Sequence, residues 1–133
     1  MTIGVLILSH EQLGQSMLDV SVKTISVCPL ATRVLGVSLD EDPDMLAVKA
    51  QTLLDEVNSG DGVLVLTDLC GGTPANIASR LAHLDDVMVV AGLNLPMLIR
   101  VLNYPELSLA ETAERAVAGG RQGIMLLPGH NEA

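Results

Sequence analysis

With 133 residues the chain suits one domain carrying its own core. Hydrophobic residues make up 49 %, yet Phe and Trp are absent and Tyr104 is the only aromatic, so the core must be Leu, Val, Ile, Ala and Met, and base stacking is excluded. A net charge of -9 argues against nucleic-acid or anionic-membrane partners, which need a basic patch, and leaves a basic protein partner open.

Ile3–Leu8 is the first of four Val/Leu-rich runs that lack polar alternation, the pattern of parallel strands covered on both faces. Glu11–Ile25 follows as an amphipathic helix with Leu13, Met17, Leu18, Val20 and Val22 on its apolar side. Arg33–Leu39 reads as the second strand. Asp42-Pro43, a capping residue followed by proline, opens a second helix that ends near Asn58-Ser59-Gly60. Gly62–Thr67 is the third strand, and Thr73-Pro74 opens a helix running to about Leu84. Val87–Ala91 is the fourth strand, and a further helix begins near Pro96. Ser108-Leu109-Ala110-Glu111 has the capping-box pattern and starts a helix expected to stop at Gly119-Gly120. Gly123–Leu127 reads as a last short strand, and the tail from residue 129 is expected to fray. Such alternation predicts an α/β fold: an open, doubly wound, mainly parallel sheet with helices on both faces.

Loops at the carboxyl ends of parallel strands converge, and there open α/β sheets bind ligands. His10 leaves the first strand at such a rim, beside a predicted helix N-terminus, where free N–H groups attract anions. A nucleophile next to an anion site suggests phosphoryl chemistry; a histidine that merely decorates a turn is the alternative. After the third strand comes Asp68-Leu69-Cys70-Gly71-Gly72-Thr73-Pro74. Gly71 and Gly72 permit positive φ and close backbone approach, so the loop reads either as an anion cradle or as a tight turn that simply needs glycine. It lacks the Lys-Ser/Thr pair of a Walker loop and the G-x-G-x-x-G dinucleotide pattern. Asp68 can orient one nitrogen of His10 and leave the other free as nucleophile, or cap the glycine turn. Asn94 and Pro96, in the loop after the fourth strand, are candidate rim residues.

The remaining reactive residues point elsewhere. Cys70 is not followed by the arginine a phosphatase loop needs, since Asn76 stands there. Cys28 and Cys70 lack CxxC spacing and read as free thiols of a reducing compartment. His83 and His130 have no metal-ligand spacing, so no metal is expected. The run Asp40, Glu41, Asp42, Asp44 reads as a solvated loop and helix start. No basic leader precedes the first strand, and no apolar run approaches the ~20 residues of a membrane helix. The expected setting is cytoplasmic, without membrane insertion.

Taken together, His10, the run Asp68–Asn76 and the run Gly92–Leu98 resemble the IIA component of the mannose/fructose/sorbose family of the bacterial phosphoenolpyruvate:sugar phosphotransferase system (PTS), over Met1 to about Leu127. The resemblance implies one IIA domain over residues 1–128. His10 would be the phosphoacceptor, charged by the phosphohistidine carrier HPr and discharged onto a IIB component for sugar uptake. Asp68 would orient His10, and Thr73, with Gly71 and Gly72, would bind the phosphoryl group. The family also implies a homodimer whose last strand, here Gly123–Leu127, crosses to the neighbour as an antiparallel edge. No cofactor is implied. Glu11 departs from the family, which usually has glycine there; a carboxylate so placed disfavours a phosphoryl group unless it points to solvent. Cys70 and Ala75 stand where aromatics often flank the glycine pair. Two other uses fit the same residues: a regulatory module whose phosphorylation state a partner reads, and the phosphoryl-donor subunit of a dihydroxyacetone kinase.

Overall fold

A computed structural model describes residues 2–129. Of the tail expected to fray, all but Gly129 lies outside the described residues, His130 included. The strands are β1 (Gly4–His10), β2 (Thr32–Val37), β3 (Val63–Thr67) and β4 (Val87–Ala91). The helices are α1 (Leu13–Ile25), α2 (Pro43–Val57), α3 (Thr73–Leu81), α4 (Leu95–Leu102) and α5 (Leu109–Gln122). The strands form one parallel sheet in the order β2-β1-β3-β4. This is the doubly wound α/β architecture expected from the alternation of elements.

Strand geometry explains why β1 is apolar from Val5 to Leu8 and β3 from Val63 to Leu66. Successive side chains point to opposite faces, and both faces are covered. Val5 and Ile7 of β1, with Leu64 and Leu66 of β3, pack with Leu98, Val101 and Leu102 of α4, Ala116 of α5 and Met17 of α1. Leu6 and Leu8, with Val63 and Val65, pack on the other face against Leu46, Ala50 and Leu54 of α2 and Ile77 and Ala78 of α3. The direction of winding switches between β1 and β3, because the chain goes from β1 outward to β2 and then returns across β1 to reach β3. The carboxyl ends of β1 and β3 therefore flank a topological switch point, the crevice where such sheets hold ligands.

Local chemistry fixes most helix starts. Asp42 caps α2 by accepting from the Asp44 N–H, Asn94 caps α4 by accepting from the Met97 N–H, and Ser108 with Glu111 completes the expected capping box of α5. The Ser108 hydroxyl and N–H hold the Glu111 carboxyl below its ordinary range. No side chain caps α3, whose N-cap is Gly72.

Several boundaries differ from the expectation, each for a physical reason. Helix α1 starts at Leu13 rather than Glu11, because Glu11 has φ +49° and cannot be helical. Its inward side is Gly14, Met17, Leu18, Ser21 and Ile25, while Leu13 and Val20 face solvent. β2 stops at Val37, and Leu39 is exposed. Helix α3 closes at Leu81, after which Leu84 turns back by an N–H bond to the Leu81 carbonyl. Helix α5 runs through Gly119-Gly120 to Gln122. These glycines are packing positions: a Cβ on Gly119 would stand 2.8 Å from Arg100 Cβ, and one on Gly120 would stand 3.0 Å from Met97 Cε. Their absent side chains let α5 lie close on α4, and helical bonding outweighs the local preference of glycine to end a helix. Within this single chain Gly123–Leu127 forms no strand; Gly123 caps α5, and Ile124, Met125, Leu126 and Leu127 are exposed. Among the described residues no helix is long and apolar enough to cross a membrane.

Candidate functional site

His10 is the last residue of β1, and Asp68 is the first residue after β3. The two strands are hydrogen-bonded neighbours, with Leu8 in register with Thr67, so the two side chains start from adjacent columns at the same sheet end. The Asp68 carboxylate takes both available bonds from His10. Its Oδ2 accepts the His10 backbone N–H at 3.0 Å and stands 3.0 Å from Nδ1, with Oδ1 at 3.3 Å. An ionised carboxylate only accepts, so in the neutral imidazole Nδ1 carries the proton and Nε2 presents its lone pair. The Asp68 side chain is 7 % exposed and that of His10 is 36 % exposed. The orienting group is thus inside, and the ring it orients reaches solvent.

The glycine loop closes over the free nitrogen. Gly72 has φ +86°, a left-handed value that a side chain would strain. A Cβ built there would lie 3.1 Å from His10 Nε2 and 3.4 Å from Cε1. Glycine at 72 therefore serves both the turn and the accessibility of Nε2. Gly71 is exposed beside it, with open space around its Cα. Thr73 is the first residue of α3, and Pro74, which has no N–H, follows it. The first i−4 bond of the helix runs from the Asn76 N–H to the Gly72 carbonyl, so the N–H groups of Thr73 and Ala75 precede the helical ladder. With no side-chain cap on α3, these donors and the helix dipole form a ready anion seat next to His10.

Asn94 and Pro96 take other work. Asn94 Oδ1 accepts from the Met97 N–H at 2.9 Å, and Nδ2 donates to the Gly120 carbonyl at 3.1 Å, so this side chain ties α4 to α5. Pro96 is exposed in the first turn of α4, and its ring packs where a Cβ on Gly123 would clash. Cys28, Cys70 and His83 are exposed.

Three supporting residues escaped the sequence reading. The buried Ser9 Oγ accepts the Gly14 N–H at 2.8 Å and anchors the start of α1 behind the His10 turn. Gly36 lets that turn sit against β2, since a Cβ there would lie 2.2 Å from the Glu11 carbonyl oxygen. A lone glycine inside a strand pattern is the signal for such close backbone approach. Ser38 donates its hydroxyl to Glu11 Oε2 at 3.1 Å. The Glu11 carboxylate is therefore exposed but held toward the β2 loop.

Residues 4–117 match the family EIIA-man, described as the PTS system fructose IIA component. The chain belongs to this family. The matched span contains His10, Asp68, the Gly71–Thr73 turn, Asn94 and Pro96. This IIA-family chain is 36 % identical over 90 residues to the PTS system mannose-specific EIIAB component of Escherichia coli (strain K12), a match covering 65 % of the chain and 28 % of that protein. The chain thus aligns with less than a third of that relative's length. The fold is shared with the mannose/sorbose specific IIA subunit from Enterococcus faecalis, with a TM-score of 0.85 and 25 % identity over 96 % of both chains. It is also shared with the PTS IIA protein associated with the fucose utilization operon from Streptococcus pneumoniae, with a TM-score of 0.80 and 28 % identity over 94 % of this chain and 93 % of that one.

The geometry at Gly72 makes a chemical prediction. In a Gly72→Ala chain the added methyl shields Nε2, so carbethoxylation of His10 by diethylpyrocarbonate slows severalfold. The exposed His83 is the internal reference and keeps its rate. Peptide mass spectrometry reads both sites, and an unchanged ratio of the two would show that Gly72 does not border the free nitrogen.

Proposed function

We propose that this chain is a phosphocarrier of the sugar phosphotransferase system. His10 accepts a phosphoryl group from phospho-HPr and passes it to a IIB component for sugar uptake. The observation that carries this reading is the Asp68 clamp, which fixes one ring nitrogen and leaves Nε2 open at the switch point.

In this mechanism neutral His10 attacks in line. The Nε2 lone pair forms a bond to phosphorus, the donor's N–P bond breaks, and the donor imidazole leaves with that electron pair. The proton on Nδ1 stays in its hydrogen bond to Asp68, whose charge offsets the positive charge developing on the ring. The turn at Gly71 and Gly72 gives the donor backbone-close access, while the Thr73 hydroxyl and the first N–H groups of α3 receive the phosphoryl oxygens. Transfer to the acceptor is the same step reversed. The chain turns over no small molecule by itself, and it works from the cytoplasmic side of the membrane without entering it.

The working unit in this proposal is a homodimer in which Gly123–Leu127 of each copy adds to the β4 edge of the other as an antiparallel strand. Two features support it. Among the described residues β4 pairs only with β3, so its other edge is open. The run Ile124–Leu127 is apolar and exposed, with Leu126 98 % accessible, and burying such side chains supplies a driving force for association.

Incubation with labelled phosphoenolpyruvate, enzyme I and HPr tests the relay: wild type takes up label, His10→Ala takes up none, and Asp68→Asn is slowed by about 10²-fold, the scale of losing one preorganised electrostatic partner. Label in His10→Ala equal to wild type would overturn the assignment. Light scattering tests the assembly: the intact chain runs at twice its 13.9 kDa mass, and a chain ending at Gly123 runs as a monomer. An intact chain that scatters as a monomer would contradict strand exchange.

A further inference from the structure

Among the described residues Glu11 is one of two non-glycine residues with positive φ, and it directly follows His10. A left-handed residue other than glycine is strained and persists only where its surroundings hold it. Those surroundings are well defined. The Glu11 N–H donates to the Val37 carbonyl at 3.0 Å, and its own carbonyl lies over Gly36. The side chain then reaches Ser38, whose hydroxyl donates to Oε2 at 3.1 Å. Val37 is the register partner of His10, so Ser38 sits one residue beyond that partner, on the next strand column. The carboxylate is thereby held at the same rim as the imidazole.

It is also unneutralised. Glu41, which accepts the Ser38 N–H at 3.1 Å, has Lys49 Nζ at 3.6 Å, and Asp44 has Arg80 at 3.2 Å. Among the described residues no ion pair involves Glu11. A bare carboxylate beside the acceptor has no role in attracting phosphoryl oxygens, and it repels them once they arrive.

We propose that Glu11 sets the transfer potential of phosphorylated His10. This inference rests on the phosphocarrier reading above. The anchored carboxylate raises the free energy of the phosphorylated state relative to the free imidazole. The phosphoryl group is then held less tightly and leaves for the acceptor more completely. The bonds made and broken are those of the relay, an N–P bond on His10 for an N–P bond on the partner, with the Nδ1 proton unmoved. The ring turns toward β3 and the carboxylate toward β2, so at a separation on the order of two strand spacings, ~10 Å, in a part-solvated setting, one unit charge shifts such a balance by about fivefold.

The test is the equilibrium between phospho-HPr and this chain, read by intact mass after mixing equal amounts. Glu11→Gln keeps an acceptor for the Ser38 hydroxyl and removes the charge, so the ratio of phosphorylated chain to phospho-HPr constant rises about fivefold. Glu11→Gly removes the charge and relieves the φ strain, and gives the same rise, which separates charge from backbone. Ser38→Ala releases the carboxylate to solvent and gives a smaller rise. In ~1 M salt, where the screening length is about 3 Å, the difference between wild type and Glu11→Gln closes. A constant within twofold of wild type in both Glu11 variants, or one that falls, overturns the inference while the relay stands. A change in transfer rate alone, with the constant unmoved, also overturns it. A wild-type chain that takes no label overturns the relay and this inference together.

Discussion

One carboxylate joins β3 to β1 at the rim of the sheet, and it does so through two hydrogen bonds from the same residue. Asp68 accepts both the backbone N–H and the ring Nδ1–H of His10. The backbone bond fixes where the strand ends, and the ring bond fixes which nitrogen is free. Because the carboxylate is nearly buried and the ring is partly exposed, the orienting charge is shielded from water while the ring it orients is not. A charge-assisted bond in such a setting is stronger than one in solvent. The other residues around the site keep that arrangement open to solvent.

The fold supplies the arrangement through its order of strands. Doubly wound connections place β1 and β3 side by side with the direction of winding changing between them, so their terminal loops diverge and leave a crevice. Into that crevice the chain turns the uncapped start of α3, while α2, α4 and α5 are each closed by a side-chain cap. The glycine at 72 is needed because the loop passes within contact of Nε2. Ser9 and Gly36 serve the neighbouring turn, the first by bonding the start of α1 and the second by giving the backbone room. Family membership and the shared fold of solved IIA proteins agree with this architecture.

Much of this was legible in the residues, and the parts that were not share a cause. The buried strands announce themselves as unbroken apolar runs, and Val87–Ala91 is found with the expected bounds. The meeting of His10 and Asp68 is readable because both leave strands at the same sheet end, although the second bond, to the backbone of His10, is not. Local signals mislead where tertiary contact decides. Gly119-Gly120 looks like a helix stop, yet α5 continues because those glycines admit α4. Asn94 looks like a rim residue, yet its two polar ends are taken by a cap and by α5. Glu11 reads as the first helical residue, yet contact with Val37, Gly36 and Ser38 holds it left-handed. The apolar run Gly123–Leu127 reads as a strand, but a strand requires a hydrogen-bonded neighbour, and here the run pairs with no other described strand.

The central claim is that Nδ1 belongs to Asp68 and Nε2 to the phosphoryl group. Nitrogen-15 and phosphorus-31 NMR of the phosphorylated, isotopically labelled chain reads this directly through the one-bond coupling between phosphorus and the ring nitrogen. The account predicts coupling to Nε2 of His10, with the Nδ1 proton retained in its bond to Asp68. Coupling to Nδ1, or phosphorus on any residue other than His10, would contradict it.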